Sequence, residues 1–63
     1  MSNGVVVYRF QVELLPRDTS DSREVLEVIS ASDTGAISLA LFSVGDLHGK
    51  KFYPGEVIKL GEA

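Results

Sequence analysis

The chain has 63 residues, a formal net charge of −3 and no cysteine, which excludes disulfide frameworks and thiolate metal sites. With one histidine, His48, a histidine-rich zinc centre is excluded as well. Six basic residues against nine acidic ones leave no surplus to neutralise phosphates, so nucleic acid is not an expected partner.

Hydrophobic residues make up 44% of the chain and charged residues 24%, the balance of a globular domain and not of a disordered one. Residues 1–63 are read as a single domain. A chain of this length buries only about 60% of the surface its unfolded form exposes. Without a staple, it relies on a well-patterned core or on a partner. The longest apolar runs, Val5–Tyr8 and Leu39–Phe42, fall far short of the roughly 20 residues of a membrane span. No charged region followed by a continuous apolar stretch marks a signal peptide. The cytoplasm is therefore the expected location, with no membrane partner and no cofactor.

The first strand is expected over residues 5–15. From Tyr8 it alternates strictly, with Tyr8, Phe10, Val12 and Leu14 on one side and Arg9, Gln11 and Glu13 on the other. Pro16 closes it, having no N–H to give a ladder. The polar run Arg17–Ser22 carries turn chemistry, and a second strand resumes over residues 23–31. There Leu26, Val28 and Ser30 share one face, and Val25, Glu27 and Ile29 the other. The two strands are expected to pair as an antiparallel hairpin.

Ser32 is a good N-cap, Asp33 puts negative charge in the first turn, and Ala36, Ile37, Ala40, Leu41 and Val44 recur at helical spacing. Gly45 suits the position just past a helix end. A helix is predicted over residues 33–44, packed over Phe10, Val12, Leu26 and Val28. After a loop at Asp46–Lys51, Pro54-Gly55 suits the middle of a type II turn leading into a third strand over residues 56–60. The order β-β-α-β makes this a small α+β domain, a three-stranded sheet with one helix on one face. The alternative is a small SH3-like or OB-like β-barrel, with residues 36–44 forced into a strand. The cap, the terminal glycine and the two interior alanines favour the helix.

Two short motifs invite a chemical reading. Gly45-Asp-Leu-His-Gly49 resembles the Gly-Asp-x-His-Gly signature of calcineurin-like metallophosphoesterases, in which Asp and His are metal ligands. A two-metal site needs several further His, Asp and Asn ligands, and no second histidine exists here. Gly45…Gly49-Lys50-Lys51 is one residue short of a phosphate-binding loop, lacks its Ser/Thr and follows a helix instead of preceding one. For the serines, only His48 is available as a base, and nothing sets it beside a pocket. No catalytic, metal or cofactor-binding residue is assigned, and the chain is not expected to be an enzyme.

The sheet face away from the helix is the candidate working surface. It mixes Val7, Leu15, Val25 and Ile29 with Arg9, Glu13 and Glu27, while Asp18 and Asp21 lie in the adjoining loop. Apolar residues ringed by charge suit a protein contact, and the acidic balance suits a partner with a basic surface.

The passage Val28-Ile-Ser-Ala-Ser-Asp-Thr-Gly-Ala-Ile-Ser-Leu-Ala40 resembles the small RNA-polymerase inhibitors of T7-type phages. Strand end, hydroxyl cap and Ala-Leu helix fall at matching spacing, in about a third of the chain. The family's third strand offers arginines to the polymerase, whereas this one offers Glu56 and Lys59. The resemblance implies a small acidic adaptor or inhibitor, phage-encoded and working in the host cytoplasm, that covers a surface of a host protein. Phage inhibitors of CRISPR machinery share this size and charge. The second expectation is a structural homo-oligomer, in the simplest case a homodimer, built through open sheet faces or edges.

Overall fold

A computed structural model describes residues 4–63. Among them are three strands, β1 (Tyr8–Pro16), β2 (Glu24–Ser30) and β3 (Phe52–Glu62), and one helix, α1 (Asp33–Ser43). The sheet is antiparallel throughout with the order β2-β1-β3. This is the expected small α+β domain. The sheet stays open, with β2 and β3 as free edges, which overturns the barrel alternative.

Alternation in β1 does what the pattern dictates. Phe10, Val12 and Leu14 are buried on the helix side. Ala36 and Ala40, both fully buried, are the points at which α1 meets them. Tyr8, Leu26, Val28, Ile37, Leu41, Val44, Phe52 and Val57 pack around this centre, half-buried. Tyr8 meets Phe10 edge-on, with ring centroids 6.4 Å apart.

Both ends of α1 are closed by side-chain and backbone chemistry already present in the sequence. The Ser32 hydroxyl accepts from the Gly35 amide at 3.1 Å. At the other end the Gly45 amide donates to the Phe42 carbonyl and the Asp46 amide to the Leu41 carbonyl. Gly45, at φ 75°, takes the left-handed conformation this double closure requires. The outer side of α1 is not polar, for Leu39 and Phe42 are exposed there.

The strand boundaries correct the expectations at three places. β1 begins at Tyr8, so Val5–Val7 lie outside it, and it runs on to Pro16, which pairs with Phe52. β2 is one residue shorter at each end than residues 23–31. The largest difference is β3, which runs from Phe52 and carries Pro54 and Gly55 inside it instead of in a turn. Two one-residue bulges make this possible. Val12 faces Val57 but Leu14 faces Pro54, and Phe10 faces Lys59 but Arg9 faces Gly61. Pro54 is tolerated because β3 is an edge strand.

Close packing of α1 through Ala40 makes that site intolerant of charge. Ala40→Asp is expected to cost about 4 kcal/mol or more, comparable to the whole stability of a domain this small. Circular dichroism should show an unfolded chain at 25 °C. A melting temperature near that of the wild type would contradict this helix position.

Candidate protein-interaction face

The side of the sheet without a helix is organised in cross-strand rows. Arg9 lies between Ile29 and Gly61, Gln11 between Glu27 and Ile58, and Glu13 beside Val25; Leu15 faces Tyr53. Val25, Ile29, Tyr53, Ile58 and Leu60 are all exposed, Leu60 being the unpaired residue of the bulge next to Gly61, opposite Arg9. A polar seam along β1 is thus flanked by apolar residues on both outer strands. Tyr53, Ile58 and Leu60 were not among the expected site residues. Period 2 alone cannot find them, because the bulges change which residues of β3 face this way.

The expected residues fare differently. Arg9, Leu15, Val25, Glu27 and Ile29 are brought together on this side, with Glu13 among them. Val7 precedes β1, and its carbonyl accepts from the Ala63 amide at 3.0 Å. Asp18 and Asp21 lie in the loop after β1. There the Asp18 carboxylate accepts from the Ser20 amide and hydroxyl, and these two bonds, the amide first, lower its pKa.

Glu13 is committed to the fold instead of being a free rim charge. Its carboxylate accepts from the Glu56 amide at 3.2 Å and from the Arg23 guanidinium at 2.6 Å. The Glu56 amide, then Arg23, hold its pKa below the ordinary value despite some desolvation. Glu13 faces the bulge, so it supplies the acceptor that the ladder fails to give Glu56. A Cβ on Gly55 would stand 2.5 Å from the same carboxylate, so a larger residue there would push the Glu13 side chain away from its partners. Arg9 and Glu27 are left as charges on this side with no hydrogen bond or ion pair among the described residues.

One end of the molecule is held by the Gly45–Gly49 loop. Asp46, 7% exposed, points its carboxylate at the amides of Lys50, Lys51 and Phe52, at 2.9, 2.9 and 2.8 Å. Burial pushes its pKa up, but the amides of Lys51, Phe52 and Lys50 together outweigh burial and lower it. Arg17 ties the hairpin loop to this one. Its Nε donates to the Gly49 carbonyl at 3.0 Å, and its guanidinium lies 5.5 Å from the Tyr53 ring centre. The Asp46 carboxylate is therefore a loop fastener, while His48 is exposed. Among the described residues no three His, Cys, Asp or Glu side chains cluster as metal ligands.

A shallow cleft of about 380 Å³ lies at the start of α1, lined by Phe10, Ala31, Ser32, Asp33, Val57 and Lys59. Two of its helix amides are already taken. Thr34 donates to the Asp33 carboxylate and Gly35 to Ser32, while the Lys59 ammonium lies 4.1 Å from the Tyr8 ring centre. Among the described residues no helix is long and apolar enough to cross a membrane.

The fastener role of Asp46 has a pH signature. A carboxylate whose pKa is lowered on folding stabilises the fold above its ordinary value, 3.8, and loses that contribution as pH falls through the folded value. Thermal melts should therefore drop steeply below about pH 4. Asp46→Ala should melt on the order of 10 °C lower at pH 7 and show a shallower further drop in acid. An equal melting temperature at pH 7 would refute this role for Asp46.

No family model, curated protein or solved structure matches the chain.

Proposed function

We propose that this chain is a non-catalytic protein-binding module that works by covering a surface of another protein with the helix-free face of its sheet. The observation that supports this reading most is the clustering of exposed Val25, Ile29, Tyr53 and Ile58 on that one face, with Leu60 exposed at the adjoining bulge. Single exposed aliphatic residues on strands are ordinary. A set spread over both outer strands around a polar seam has the composition of a contact surface, with an apolar area and hydrogen-bonding groups within it.

The charge of −3 and the exposed Glu24, Glu27 and Asp21 favour a partner with a basic surface. Such charges mainly speed capture and suppress wrong partners. Small size, acidity and a sheet face free of any helix suit an inhibitor or adaptor, and on the resemblance to phage polymerase inhibitors the target would be a protein of a host cytoplasm. RNA polymerase and CRISPR machinery are the two candidate targets on that reading.

The test uses variants on β3 that leave the Glu13–Arg23–Glu56 pin intact. Ile58→Glu combined with Tyr53→Ala should weaken binding at least about tenfold to whichever candidate, RNA polymerase or a CRISPR effector, the wild type binds. The melting temperature should move only a few degrees, as expected for exposed positions. Ser38→Glu, on the exposed side of α1, should bind like the wild type. Glu27→Lys should weaken binding at low salt, with the effect fading toward about 1 M salt as screening shortens to about 3 Å. Unchanged affinity in the β3 double variant would move the interface off this face.

A further inference from the structure

The two edges of the sheet are not alike. β3 carries Pro54, Lys59 and both bulges, features that keep a strand from pairing outward. β2 has none of these. It pairs with β1 in unbroken register from Glu24 to Ser30 and contains no proline, lysine or glycine. Its outward N–H and C=O groups form a template for another strand that no bulge interrupts.

The sequence of β2 is also complementary to itself in one antiparallel register. Directly opposed residues share a face, so a second β2 slides in steps that keep faces matched. Centred on Glu27, two copies set Val25 against Ile29 on the helix-free side and Leu26 against Val28 on the helix side. The next register in either direction sets Glu27 against Val25 or against Ile29. Val25 and Ile29 are 50% and 54% exposed, so both have area to lose. The remaining cost is Glu27 facing its own copy. Arg9, diagonal to Glu27 across the β1–β2 ladder, is free to offset it. Across two copies the two Glu27 charges are then flanked diagonally by two Arg9 charges, and the four sum to zero.

We propose that a second copy of this chain pairs its β2 with β2 about a two-fold axis, giving one six-stranded antiparallel sheet in the order β3-β1-β2-β2-β1-β3. An axis perpendicular to the sheet keeps both helices on one side and joins the two helix-free faces into one. The inference does not rest on what that face binds: strand pairing covers part of Val25 and Ile29 but leaves Tyr53 and Ile58 open. Seven residues of strand, about 23 Å, make a small interface. The dimer is accordingly weak and concentration-dependent.

Sedimentation velocity on the full chain from roughly 1 µM to 1 mM covers the relevant affinities. A reversible monomer–dimer equilibrium is expected. Ile29→Lys, at an exposed position, should abolish it while the melting temperature holds. Glu27→Gln should tighten the dimer by about two- to fivefold, because it removes a like-charge pair. A mixture of Glu27→Lys with wild type should form heterodimers in preference to either homodimer. A monomer at 1 mM overturns the proposal. So does a dimer indifferent to Glu27→Gln and to mixing, or one lost on Ile58→Glu and kept on Ile29→Lys, which would mean packing face to face. Partner binding through the β3 residues is measured separately, so either reading can fail without the other.

Discussion

Two alanines decide how this molecule is held together. With no side chain beyond Cβ, Ala36 and Ala40 let α1 come down onto Phe10, Val12 and Leu14 until four of the five are wholly buried and only the edge of Phe10 meets solvent. β1, paired on both sides, supplies the large residues of that contact, and the outer strands lend only half-buried ones. A core this narrow leaves little surplus stability. That gives unusual weight to the small polar devices around it: the Ser32 cap, the Gly45 closure, the Asp46 fastener and the Glu13 pin. Each satisfies backbone groups that the short elements leave open.

Glu13 and Asp46 show how acidic residues can be drawn away from recognition. Both looked available for chemistry or contact, and both are occupied by backbone amides. At Gly45–Gly49 the likeness to a metal-binding signature has a structural origin. The first glycine is needed for the helix end, the aspartate to gather three amides, and Gly49, at φ 65°, to turn the chain back. The histidine between them takes part in none of this.

The first strand, the hairpin and the helix were legible because each has one uninterrupted period. β1 alternates from Tyr8 to Leu14, and Ser32 and Gly45 bracket a 3.6-residue pattern. β3 was not, for a physical reason. Its two bulges switch the facing parity twice, so Phe52 and Val57 both turn inward although one is even-numbered and the other odd. Alternation therefore fails as a signal there, and Pro54-Gly55 imitates a turn. Half of the candidate face was legible with β1 and β2. Tyr53, Ile58 and Leu60 were hidden with the strand that carries them, and the role of Glu13 was hidden with the bulge it serves.

The order β2-β1-β3 also governs how the chain comes together in time. β1 and β2 are neighbours in sequence and can zip as soon as both exist, through the loop of residues 17–23. The other side of β1 must wait for β3, which follows the helix in the chain, and the pairing of Tyr8 with Glu62 spans nearly the whole described chain. Closing that long loop is the slow step expected of non-local strand pairing. On a ribosome the hairpin and helix therefore precede the completed sheet, and Val12 and Leu14 stay open along one flank until β3 clears the exit tunnel. During that interval the nascent chain presents an unpaired central strand, the state in which it is most exposed to chaperones, proteases and its own copies.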